Sequence, residues 1–146
     1  MKDLNLNLFT DMKKHKLSER EANNYSPLSL AFLGDSVYDT LIREYLLRMG
    51  NMPVSKLHSA KIRLVCAEYQ SEIYGFISDF LTEHEMSVMK RGRNASGNTV
   101  PKHADPAQYH RATGLECLFG YLYITGQEER INELFRLISE NIHQEE

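Results

Sequence analysis

The sequence predicts an all-α fold. Ser26–Pro27 and Asp105–Pro106 each have the form of a helix N-cap followed by proline in the first turn. Apolar residues recur three and four positions apart through most of the chain, and no stretch shows the two-residue alternation of a strand or an internal repeat.

The first long helix opens at Ser26 and carries Leu30, Leu33, Val37, Leu41 and Tyr45 at helical spacing, running to about Arg48 before Gly50 stops it. Asn51 and Pro53 offer a new start. Leu57, Ile62, Val65, Ile73, Phe76 and Ile77 continue the period, with a break into two helices expected near Gly75. Thr82 with Glu85 three positions on is a capping box for a short helix, "EHEMSVMKR". Asp105–Pro106 opens "AQYHRATGLECLFGYLYIT", which Gly126 closes. A last amphipathic helix, "EERINELFRLISENIH", sets Ile131, Leu134, Phe135, Ile138 and Ile142 on one face, and "HQEE" is a solvated tail.

A chain of 146 residues, 42% hydrophobic and 25% charged, is the size of one domain able to bury a core, so residues 1–146 are expected to form one unit. A formal net charge of −3 argues against a protein that coats nucleic acid with its whole surface. Cys66 and Cys117 form no CxxC pair and no disulfide framework, and are expected to be buried free thiols. "MKDLNLNLFTDMKK" lacks an apolar core of signal-peptide length, and no run is long enough to span a bilayer. The expectation is a soluble, cytoplasmic protein with no membrane partner.

Against this acidic background one segment is basic. From Lys90 to Arg111 the chain holds five Lys or Arg (Lys90, Arg91, Arg93, Lys102, Arg111) against the single acid Asp105. Glycines, asparagines, Ser96, Thr99 and a proline between Gly92 and Asp105 give it the composition of an exposed loop. Two readings stand: a solvated connection, or a clamp on a phosphate backbone, where Lys and Arg gain free energy by displacing condensed counterions.

Two acids sit inside dense apolar pattern, Asp35 in "LGDSVY" and Glu116 in "GLECLFGY", each close to glycine: Gly34 in the first, Gly114 and Gly120 in the second. Small residues let helices pack closely, so a crossing there would bring the two carboxylates together. Two such acids repel unless something positive lies between them, and a hard divalent cation suits carboxylate oxygens. Spacing alone leaves open that both are surface acids or partners of arginines.

"LAFLGDSVYDTLIREYL" resembles the signature helix of the ribonuclease III family, in which Phe-Leu-Gly-Asp supplies a metal-binding aspartate; "ATGLECLFGYLY" is similar to that family's second acidic helix. "KRGRNA" ahead of a polar loop is similar to the short bacterial branch, Mini-ribonuclease III, and together the matches run from about Pro27 to Tyr123. Two positions depart from full-length members: Ala31 stands where they carry a glutamate, and Thr113 where they carry an aspartate. The short branch shares this thinning.

The resemblance implies a helical, homodimeric endonuclease domain without a separate double-stranded-RNA-binding domain. It implies Asp35 and Glu116 as catalytic ligands of Mg²⁺, with Mn²⁺ able to substitute, and cleavage of double-stranded RNA to 5′-phosphate and 3′-hydroxyl ends. The implied substrate is the precursor of large-subunit (23S) ribosomal RNA, with a ribosomal protein as a candidate further partner. Lys90, Arg91, Arg93, Asn94, Lys102, His103 and Arg111 are the candidate RNA contacts. Tyr38, Leu41, Tyr45 and Leu46 are candidates for burial in the core or against a partner. Loss of the family acids at Ala31 and Thr113 favours the alternative, a non-catalytic RNA-binding or scaffold protein on the same fold; retention of Asp35 and Glu116 favours the enzyme. His58, His84, His103 and His110 lack the ligand spacing of a zinc site, and Ser36 lacks a histidine partner for a nucleophilic role.

Overall fold

A computed structural model describes residues 16–95 and 99–145. The N-terminal stretch read for a signal peptide, Ser96 in the basic segment and the last residue of the tail lie outside the described residues. Among those described are seven α-helices: α1 (Glu19–Asn23), α2 (Pro27–Met49), α3 (Val54–Val65), α4 (Ala67–Ile77), α5 (Glu83–Arg93), α6 (Pro106–Ile124) and α7 (Glu128–Glu145), with a single 3-10 turn at Ser78–Phe80 and no strand. None is long and apolar enough to cross a membrane.

The caps form as the sequence dictates. The Ser26 hydroxyl accepts from the Leu28 N–H (3.2 Å), and the Asp105 carboxylate accepts from those of Ala107 (2.9 Å) and Gln108 (3.2 Å). Thr82 and Glu85 complete their capping box. A second box, Ser18 with Glu21, starts α1, a helix legible by the same rule but not expected from the sequence pattern above.

Helix α6 is the centre of the molecule. Every residue from Ala112 to Leu122 is buried except Glu116, which is half-buried. Such a helix must be enclosed on all sides, and α2, α4, α5 and α7 enclose it. Arg130 of α7 staples the shell, donating to both Glu85 carboxylate oxygens (2.8 Å each) and to the Phe80 carbonyl (2.8 Å). Burial alone would raise the Glu85 carboxyl, but hydrogen bonds from Arg130 and Thr82 prevail and hold it below its usual range.

Helix α2 approaches α6 at glycine. A Cβ on Gly34 of α2 would lie 1.6 Å from the Glu116 carbonyl oxygen, and one on Gly120 of α6 would lie 1.9 Å from that of Leu30. The backbones of α2 and α6 therefore touch, which no side chain at either position would permit. Glycine inside these helices costs helix propensity and gains proximity.

Three expectations need correction. The break falls at Cys66, a single extended residue that ends α3 and starts α4, while Gly75 lies inside α4. Neither glycine nor proline marks this break; a tertiary hydrogen bond holds it, the Tyr38 hydroxyl donating to the Leu64 carbonyl, with a local one from the Gln70 amide to that of Val65 (both 2.9 Å). Cys66 is half-buried there, whereas Cys117 is buried as expected. Helix α2 has two apolar faces: Leu30, Tyr38, Ile42 and Leu46 enter the core, while Leu33, Val37 and Leu41 line an open groove of about 540 Å³. Finally, Gly92 and Arg93 belong to α5, so the basic segment is less a loop than two helix ends and their connection.

Candidate active site

Asp35 follows Gly34 on α2, and Glu116 sits on α6 beside the backbone crossing that Gly34 and Gly120 create. The close approach brings the two carboxyls near enough for Asp35 to act on Glu116. Asp35 is exposed to solvent and Glu116 is half-buried. Burial, then the hydrogen bond and negative charge of Asp35, push the Glu116 carboxyl up to about 8, against a smaller opposing effect from the Gln70 amide. Among the described residues, no Lys, Arg or His forms an ion pair with either acid.

A further buried polar residue lies at this site. Gln70 of α4 is 3% exposed and close enough to Glu116 to lower its carboxyl, and its Oε1 has no hydrogen-bond partner. Sequence pattern did not single it out. Its signal was a polar residue on the same stripe of α4 as Ile73, Tyr74 and Ile77, all of which are buried. Two carboxylates with no cation between them and an unmatched amide oxygen alongside form an all-oxygen donor set, which suits a hard divalent ion that keeps several of its waters. The family acids replaced by Ala31 and Thr113 are not compensated: among the described residues, no group of three or more His, Cys, Asp or Glu gathers anywhere. Thr113 is buried, its hydroxyl donating to the Tyr109 carbonyl (3.0 Å).

The basic residues divide by element. Lys90, Arg91 and Arg93 end α5, and Asn94 caps it, its N–H donating to the Lys90 carbonyl (2.9 Å). Arg91 donates to the Asn23 carbonyl (3.4 Å), and Arg93 lies over the Tyr74 ring, 5.9 Å from its centroid. Arg111 stands five residues before Glu116 on α6, about 7.5 Å along the axis, and donates to the Ser71 hydroxyl (3.4 Å). Both Arg111 and Glu116 thus meet neighbouring residues of α4. Only Lys102 and His103, both exposed, belong to the connection. His84 pairs with the Tyr121 hydroxyl (2.8 Å).

The Glu116 proton gives the metal-free protein a pH-dependent stability. Glu116 holds its proton up to about 8 when folded, against 4.5 as the ordinary value. Between those values the folded state binds more protons than the unfolded, so stability falls as pH rises from 4.5 to about 8. In EDTA the wild-type melting temperature is expected to fall across that window more than that of Glu116→Gln, which has no such proton to lose. Parallel profiles for the two would contradict this assignment.

The ribonuclease III domain pattern matches residues 28–127. A Mini-ribonuclease 3 from Symbiobacterium thermophilum is 46% identical over 80% of this chain and 89% of its own length. A Mini-ribonuclease 3 from Brevibacillus brevis is 42% identical over 84% of this chain and 91% of its own. The crystal structure of a protein from Fusobacterium nucleatum superposes with a TM-score of 0.73 at 34% identity, covering 81% of this chain and 94% of that one. The pattern takes in both acid-bearing helices from Leu28 to Gln127, and with relatives this similar over most of their length the chain belongs to the ribonuclease III family, in its Mini-ribonuclease III branch.

Proposed function

We propose that the protein is an Mg²⁺-dependent endoribonuclease that cleaves double-stranded RNA, with Asp35 and Glu116 as the metal ligands. The observation that carries this reading is the approach of two carboxyls, with no basic partner among the described residues, at a crossing that only glycines allow. When bound, the ion lowers the pKa of a water and offsets charge on the scissile phosphate. Asp35, exposed, and Glu116, half-buried and in its deprotonated form, would hold the ion. Hydrolysis leaves 5′-phosphate and 3′-hydroxyl ends. Mn²⁺, with similar preference for oxygen ligands, can replace Mg²⁺.

The basic helix ends and their connection would supply the grip on RNA. Lys90, Arg91, Arg93, Asn94, Lys102, His103 and Arg111 would grip phosphates along a duplex whose shallow minor groove offers shape and 2′-hydroxyls rather than sequence. Changing Lys90, Arg91, Arg93 and Lys102 to alanine is expected to weaken binding to all duplexes alike. It should also flatten the log-log salt dependence by somewhat less than about one unit for every phosphate the protein no longer neutralises. A salt titration in Ca²⁺, without cleavage, reads both; slopes equal to wild type would reduce these residues to solvation.

A homodimer supplies the second cut. Phe32, 84% exposed although aromatic, stands beside the groove lined by Leu33, Val37, Leu41, Tyr123 and Ile131. A protruding ring and an apolar groove on the same face form a self-complementary pair of the kind a two-fold interface needs. Phe32→Glu is expected to sediment as a monomer and to lose coordinated cutting of both strands; a dimer that persists would place the interface elsewhere.

The biological substrate on this reading is precursor large-subunit ribosomal RNA, presented as a structured duplex with a ribosomal protein as an additional partner, in the cytoplasm. Incubating labelled duplex with the protein, with and without Mg²⁺, tests the activity. Two-strand cleavage only with the ion, giving 5′-phosphate ends, is expected. Binding without cleavage at any Mg²⁺ concentration would instead support a scaffold.

A further inference from the structure

Gln70 is buried at 3% exposure, yet its carboxamide is only half used. Its Nε2 donates to the Val65 carbonyl at 2.9 Å. That bond fixes which end of the amide is nitrogen, because the reverse orientation would set two oxygens against each other. The same side chain lies near enough to Glu116 to lower its carboxyl, while Asp35 raises it, so Glu116 is met from α4 by Gln70 and from α2 by Asp35. Oε1, on the same carboxamide, is buried with no partner. A buried acceptor left unmatched costs about 1–3 kcal/mol, and its presence calls for a water or ion in the neighbourhood.

The residue type suits this position. A third carboxylate would add repulsion to Asp35 and Glu116, and a lysine would fill the space with its own charge. A neutral amide can orient one acid and offer an oxygen without doing either. We infer that Gln70 is a positioning residue of the cation site, its N–H aiming the Glu116 carboxylate and its Oε1 accepting from a water that accompanies the ion. This rests on the reading of Asp35 and Glu116 as metal ligands. A purely structural Gln70 would do no more than cap the end of α3 through Val65.

Calorimetric titration of Mn²⁺ alone into the full chain, without RNA, separates these roles. Wild type is compared with Gln70→Met, which keeps the length of the side chain, with Gln70→Leu, and with Asp35→Asn, with melting temperatures in EDTA measured alongside. Both Gln70 variants are expected to bind Mn²⁺ about 10-fold to 100-fold more weakly, whatever their melting temperature, and Asp35→Asn to bind more weakly still. Unchanged Mn²⁺ affinity in the folded Gln70 variants, with affinity lost in Asp35→Asn, overturns the positioning role alone, even if the melting temperature falls. Unchanged affinity in Asp35→Asn overturns the underlying cation site and this inference with it.

Discussion

Gly34→Ala is expected to lower stability by more than about 3 kcal/mol and to abolish cleavage at metal concentrations that saturate wild type. Overpacking a core ordinarily costs about 1–3 kcal/mol, because side chains can turn aside. Here the obstacle is the Glu116 carbonyl, 1.6 Å from the new methyl, and a backbone within a buried helix has nowhere to turn. Helices α2 and α6 must separate, which opens the densest part of the core and carries Asp35 away from Glu116. Gly75→Ala is the control: Gly75 is exposed, with nothing within 4 Å of the position of its Cβ. Removing a helical glycine there should stabilise by up to about 1 kcal/mol. Denaturant midpoints for the two variants check the contrast. A Gly34→Ala protein as stable and active as wild type would mean that the crossing does not position the acids.

Asp35→Asn and Glu116→Gln are expected to reduce cleavage by at least about 10³-fold, since metal-ion stabilisation of the transferring phosphate amounts to several kcal/mol. Duplex binding in Ca²⁺ should change far less, because each substitution removes a metal-binding charge and leaves the basic helix ends in place. Neither variant should melt earlier than wild type in EDTA at alkaline pH, where two facing carboxylates repel and removing one relieves the repulsion. Gel-based cleavage rates and melting curves on the same preparations test both halves. Near-normal turnover would remove the pair from the mechanism, and a clear loss of stability in EDTA would make it a structural contact.

The caps at Ser26, Thr82 and Asp105 were legible because each is a local hydrogen bond between a side chain and its own next turn. The break at Cys66 was not, because Tyr38 holds it through a bond that spans 26 residues of sequence. Periodicity found the Leu33, Val37 and Leu41 stripe without distinguishing a core face from an open groove, since both are apolar at the same spacing. Glycine and proline drew the eye to a loop after Gly92, yet α5 continues through it, where a Cβ would lie 2.5 Å from that of Cys117. Gly92 is therefore another point of close packing rather than a turn. At the site, Asp35 and Glu116 stood out as acids in apolar pattern, and the neighbouring glycines suggested why they could meet. Gln70 did not stand out, because only the fold brings α4 against Glu116.

The most direct measurement is anomalous diffraction at the manganese edge from crystals of the protein soaked in Mn²⁺. A peak in contact with both the Asp35 and Glu116 carboxylates, lost from Glu116→Gln crystals, is the expected result. No peak between those two side chains, at Mn²⁺ concentrations that support cleavage in solution, would contradict it.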